Sequence, residues 1–238
     1  MTLGPDSEVV WRWGEAALTA TLVNTWLVMG LLTLGAWWLT RRLSDGPSLS
    51  RWQNLLESLV SGIDDQIRQV SHQPPARYRP FVGTLFLFIA VSNLLEVVPG
   101  FASPMGSLST TTALAICVFV AVPLYGIARE GPLGYLRHYL QPSWLMLPFN
   151  VIGELSRTVA LAVRLYGNIM SGTLIVAILL GLTPYVFPVL MQLLGLLTGM
   201  IQAYIFAVLA MVYIASAASA QRERRQVPRP TEGGNTHG

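Results

Sequence analysis

The chain has 238 residues, of which 53% are hydrophobic and only 11% charged, with a formal net charge of +3 and a mean hydropathy of +0.52. That balance excludes an ordinary soluble globular domain and places the chain in a membrane. The basic excess comes without a nucleic-acid-binding motif and suits anionic lipid head groups, and the one cysteine, Cys117, rules out an internal disulfide or thiolate metal site.

Residues 16–39 form the first apolar segment, long enough for a spanning helix, which takes about 18 to 20 residues. Asp6, Glu8, Arg12 and Glu15 precede it, without a basic leader or a small-residue cleavage site, so the segment is expected to remain as a helix. Over 48–70, Leu49, Trp52, Leu55, Leu56, Leu59, Val60, Ile63, Ile67 and Val70 recur at helical spacing between Arg51, Asn54, Glu57, Asp64, Asp65 and Arg68. This predicts an amphipathic helix on the cytoplasmic surface, ended near His72 by Pro74 and Pro75. Apolar segments at 81–98, 110–127, 145–182 and 185–220 bring the expected spans to five, the last two unusually long. Cys117 falls in the third span and is given a packing role. Residues 222–238 are polar, rich in Pro and Gly and without periodicity, which predicts a disordered cytoplasmic tail after one transmembrane domain over 1–221. The expected fold class is an all-α integral membrane protein.

All fifteen basic residues are arginine. Arg41, Arg42, Arg51, Arg68, Arg77 and Arg79 follow the first span, Arg129 and Arg137 the third, and Arg222, Arg224, Arg225 and Arg229 the last. The opposite loops, 99–109 and 181–184, carry no charge. The positive-inside rule therefore puts the N-terminus outside and the C-terminus in the cytoplasm of a multi-pass protein of the cell (plasma) membrane.

From Pro148 the chain meets no further proline until Pro184, and a helix of that length would measure about 54 Å against a hydrocarbon core of about 30 Å. Two such helices in succession predict a steeply inclined antiparallel hairpin shaped to lie against a partner. At 100° per residue, Gly153, Arg157, Ala160, Arg164, Gly167, Asn168, Ser171 and Ile175 share one small, polar stripe. A guanidinium at that depth needs a carboxylate, a carbonyl or water. Glu154 precedes Arg157 by three residues and Glu96 sits at the outer end of a span, so neither is a fixed partner for Arg164, and a carboxylate from another subunit is expected to visit it. In the antiparallel hairpin Gln202 comes to the depth of Arg164.

At these residues the chain resembles subunit a of F-type ATP synthases, the membrane stator that carries ions past a rotating ring of c subunits. The likeness runs through NTW at 24–26, TRRL at 40–43, QNLLE at 53–57, SNLLE at 92–96, ELSRTVALAVRLYGN at 154–168 and IQAYIF at 201–206. The resemblance puts the family's essential arginine on Arg164, its asparagine on Asn168 and its glutamine on Gln202, and implies that Arg164 faces the essential carboxylate of c. A fixed guanidinium there would favour the ionised carboxylate and block a direct leak between two access paths. It also implies a c ring, b-type peripheral stalk subunits and other F-type ATPase subunits as partners, beside membrane lipids, with no cofactor and no catalytic residue in this chain.

Where many members carry Glu or His, this chain has Thr173 and Gly195. The outer half-channel is then expected to use Glu96 and Asn93, with Thr173 and the Ser107, Ser109 and Thr110 to Thr112 group, Thr110 and Thr111 foremost; Glu154, Ser156 and Arg157 are the inner candidates. The proton is the first expectation for the ion, and sodium, which needs oxygen ligands rather than a titrating chain, stays open in a variant, sodium-linked complex. A self-contained secondary transporter or channel is the alternative, but paired repeats and a midplane ion site of its own are not visible. No Walker, HExxH or GxSxG motif supports an enzyme.

Overall fold

The computed structural model describes residues 9–13, 16–41, 51–71, 74–98, 101–131, 146–182 and 186–219. Six α-helices occur among them: α1 Ala20–Thr40, α2 Arg51–Ser71, α3 Arg79–Leu95, α4 Leu108–Glu130, α5 Met146–Leu182 and α6 Val186–Ser219. The tail expected over 222–238 and the loop carrying Arg137 lie outside the described residues.

The first apolar segment begins later as a helix than its composition suggests. Residues Ala16–Thr19 form β2, which pairs antiparallel with β1, Val9–Trp13, and α1 starts only at Ala20. Inside α1 the hydroxyls of Thr25 and Thr33 donate to the carbonyls of Thr21 and Met29, each at 2.7 Å, as polar groups in an apolar medium must. Asn24 Nδ2 donates to Ala102 O at 2.9 Å and ties α1 to the segment ahead of α4.

Helix α2 lies along the period read from its sequence. Ile67 is buried with Tyr78, Val82, Met211 and Ile214, while Glu57, Ser61, Asp65 and Arg68 are exposed. Part of its apolar stripe is therefore covered by α3 and α6. Asp64 accepts both Nε, at 2.6 Å, and Nη2 of Arg79, which pins α2 to the start of α3.

Helix α3 starts with Pro80 in its first turn, where a missing N–H is harmless, and stops at Leu95. Its 17 residues make it about 26 Å long. Five spans were expected, but among the described residues four helices are long and apolar enough to cross a membrane: α1, α4, α5 and α6. Helix α3 is apolar but short, and it is enclosed: Leu85, Phe88, Ile89, Ser92 and Asn93 are all buried. Helix α4 contains Pro123 and ends at Gly131, whose φ of 79° is the left-handed conformation that favours glycine, with its N–H bonded to Ile127 O at 2.8 Å.

The last two helices have 37 and 34 residues, about 55 and 51 Å. They pack along each other, with α4 against both and α3 against α6. Val28, Phe88, Ile89, Leu165 and Phe206 come from α1, α3, α5 and α6 into one core.

Candidate functional site

Helix α5 divides its surface sharply. Leu161, Ala162, Leu165 and Ile169 are buried, whereas Arg157, Ala160, Arg164, Gly167 and Ser171 are exposed. The polar stripe read from the sequence thus lies on the side that this chain leaves uncovered, beside the exposed Leu155, Val159 and Val163, with Gly153 and Asn168 half-buried. A Cβ built on Gly153 or Gly167 would meet nothing within 4 Å, so a partner can come close to the backbone there. Among the described residues Arg164 makes no ion pair and no hydrogen bond, and the one ion pair is Arg79 with Asp64. Arg157 is positioned differently: its guanidinium carbon lies 5.6 Å from the centre of the Tyr213 ring on α6, within cation–π range. Glu154 is half-buried and Ser156 exposed, one to three residues before Arg157.

Around the far end of the hairpin a cleft of about 610 Å³ opens between the end of α3, the 101–106 segment, α5 and α6. Asn93, Glu96, Ser103, Asn168, Thr173 and Gln192 are its polar lining, and Gly195 is in its wall. Asn93, Glu96, Thr173 and Asn168 are thereby brought together, with Gly195 beside them. Thr110 and Thr111 are not among the lining residues. Thr111 is buried and gives its hydroxyl to Ser107 O and Leu108 O at 3.2 and 3.1 Å, while Ser107 and Ser109 hydrogen-bond each other at 2.6 Å. The first turn of α4 consumes these hydroxyls.

Gln202 lies on α6 and is 7% exposed, with its Nε2 buried and without a hydrogen-bond partner. Sequence reasoning missed two groups. Ser103 lines the cleft with a buried, unpartnered Oγ, and Gly199 receives Asn93 Nδ2 on its carbonyl at 2.8 Å. The only local signal for Gly199 is a glycine inside an apolar helix, which marks a close approach without naming what approaches. On the α2 side, Tyr204 donates its hydroxyl to Gln66 Oε1 at 2.8 Å beside an apolar groove of about 540 Å³. Among the described residues no group of three or more His, Cys, Asp and Glu gathers where a metal could bind.

A profile of the ATP synthase A chain family matches residues 22–215. The chain is 61% identical to "ATP synthase subunit a 2" of Acaryochloris marina over 95% of its own length and 97% of that protein's. It is 58% identical to "ATP synthase subunit a 2" of Picosynechococcus sp., with 95% and 97% covered, and 54% identical to "ATP synthase subunit a" of Albidiferax ferrireducens, with 98% and 99% covered.

Proposed function

This chain belongs to the ATP synthase A chain family, subunit a of the Fo sector, and on that premise we propose that it carries ions past a c ring through two half-channels separated by Arg164. Subunit a is a non-catalytic membrane subunit; the ATP chemistry takes place in the F1 sector, and other F-type ATPase subunits, such as the c ring, are its partners. The finer reading rests on one observation: an uncovered polar stripe on α5 that presents a guanidinium with no partner among the described residues. A charge exposed to hydrocarbon is costly, and a carboxylate on an adjacent c subunit removes that cost while Arg164 stabilises its ionised form. The c carboxylate then releases its ion at the stator, and the fixed positive charge bars the ion from crossing directly between the two paths.

The outer half-channel is the cleft with Glu96, Asn93 and Thr173 in its wall, leading toward Asn168 and Gln202. Thr111 is spent on its own helix, and neither it nor Thr110 lines the cleft. Glu154, Ser156 and Arg157 line the inner path, toward the cytoplasmic end of α5. In this arrangement α3 is a short fifth crossing sheltered by its neighbours, and α2 lies at the cytoplasmic surface. The arginines that follow α1, α4 and α6 support an N-terminus outside and a C-terminus inside, and Arg41, stacked 3.8 Å above Trp37 at the end of α1, suits such an interface. A b-type stalk completes the stator. The carried ion is the proton, with sodium the second candidate, since the cleft offers oxygen ligands and one carboxylate.

The test is ion-gradient-driven ATP synthesis in proteoliposomes, with assembly checked by subunit content. Arg164→Ala should abolish coupled synthesis, and Arg164→Lys should fail too, because a shorter ammonium that loses its proton when desolvated does not keep a charge at that depth. Near-parental synthesis by Arg164→Ala would overturn the reading.

A further inference from the structure

Asn93 does more than line the cleft. Its Nδ2 crosses from α3 to Gly199 O in the middle of α6, a buried hydrogen bond of 2.8 Å between residues 106 apart in sequence. The approach is tight enough to require glycine: a Cβ at 199 would stand 2.9 Å from Asn93 Cγ, 3.0 Å from its Nδ2 and 3.1 Å from its Cβ. The other half of the same amide is unsatisfied, since Asn93 is 2% exposed and its Oδ1 is buried without a partner. One helical turn from Gly199, about 4.5 Å along the axis, Gln202 holds a buried Nε2 that is also without a partner. An orphan acceptor and an orphan donor thus flank one contact, and each left unmet is unfavourable.

We infer that Asn93 is a positioning residue for Gln202: its amide N–H anchors α6 at Gly199, and its carbonyl oxygen receives the Gln202 amide through one buried water. The anchor fixes the depth of Gln202, and the bridge fixes its rotamer, so that the glutamine meets the ion path at one place. A single water matches the inventory, because it accepts from Nε2, donates to Oδ1 and has further capacity for a neighbour such as Ser92 Oγ, buried and unpartnered one residue away. The inference rests on the placement of Gln202 beside the ion path.

Asn93→Asp in the whole complex tests it, because the variant keeps size and shape. With the new carboxyl protonated, its O–H donates to Gly199 O and its carbonyl faces Gln202, as in the parent. Ionised, it has no donor and confronts a carbonyl oxygen, so burial and that oxygen both disfavour the charged form, which gains ground only as the pH rises. Helix α1, the Pro104–Gly106 turn and α6, which pack on α3 here, bring no Asp, Glu, Lys, Arg or His, and Glu96 is the titratable side chain lining the cleft. The variant's flux is therefore read as a ratio to the parent at each pH, which removes the titration of Glu96 and of Arg164's partner carboxylate. The ratio should approach one at low pH and fall by about tenfold or more as pH rises. A flat ratio near one would mean that Asn93 acts only by filling space, and a flat low ratio that a protonated carboxyl does not replace the amide's donor; either overturns the proposal. A high-resolution map of the parent complex gives a second readout independent of any variant: a water about 2.7 to 3.2 Å from both Asn93 Oδ1 and Gln202 Nε2 is expected, and a Gln202 amide bonded elsewhere sinks the proposal. Either failure leaves the Arg164 reading standing, since that is decided by Arg164→Ala.

Discussion

Gly199→Ala should destabilise the subunit although alanine is the better helix former. The added methyl would lie 3.1 Å from Asn93 Cβ, an atom that no rotamer change moves, so α3 and α6 must part by a few tenths of an ångström. Overpacking of this kind costs about 1 to 3 kcal/mol. If Asn93 Nδ2 is also driven from Gly199 O, a buried donor joins the buried acceptor already left over, for about 1 to 3 kcal/mol more. Against this, replacing glycine within a helix returns up to about 1 kcal/mol. With the hydrogen bond lost the net loss is about 1 to 5 kcal/mol. Gly30→Ala on α1 is the control, since a Cβ there meets nothing within 4 Å and only the favourable helix contribution remains. Thermal unfolding of the detergent-solubilised subunit, followed by tryptophan fluorescence, compares the two. Equal midpoints for both variants, together with parental coupling by Gly199→Ala, would refute the close α3–α6 contact.

Glu96→Gln should slow ion flux several-fold in reconstituted complexes while subunit content stays normal, because Glu96 is the carboxylate in the cleft wall; flux unchanged from neutral to alkaline pH removes it from the path. Tyr204→Phe should lower stability by no more than about 1 kcal/mol, since its hydrogen bond to Gln66 is at an exposed site, and a larger drop in unfolding midpoint would give that bond a greater part in holding α2 on α6.

Periodicity made the long elements legible. The face of α5 that carries Arg157, Arg164 and Gly167 could be read from the sequence because small and polar residues recur every third or fourth position, and that face is the one left open. The strand Ala16–Thr19 falls within the first apolar segment and Val9–Trp13 ahead of it, and neither is legible because four or five residues carry too little alternation to announce a strand, and the pairing has an irregularity between Val9 and Trp11. Helix α3 read as a full span because its composition is that of one; its end at Leu95 is set by turns through Glu96 and Val98 that composition does not encode. The hydroxyl-rich start of α4 suggested a channel lining, yet each of Thr111 and Ser107 is occupied locally. The contact between Asn93 and Gly199 lay furthest from prediction, although Asn93 itself was expected in the outer path, because the separation of the two residues in the chain hides the pair.

The length of α5 also bears on timing in a rotary machine. Its apolar stretch, Pro148–Gly181, has 34 residues, about 51 Å, and must lean by roughly 50° to remain within a hydrocarbon layer of about 30 Å. On such an incline a step along the helix is a step sideways as well as down. Two turns along the axis from Arg164, about 11 Å, become a lateral offset of about 8 Å, close to the width of one helix. The inner door, near Glu154 to Arg157, and the outer door, beyond Asn168, would then address neighbouring positions on the rim of a ring rather than the same one. With two such doors depth would be converted into angle, and the slope of a single helix would set the direction in which a ring turns to pass an ion from one to the other.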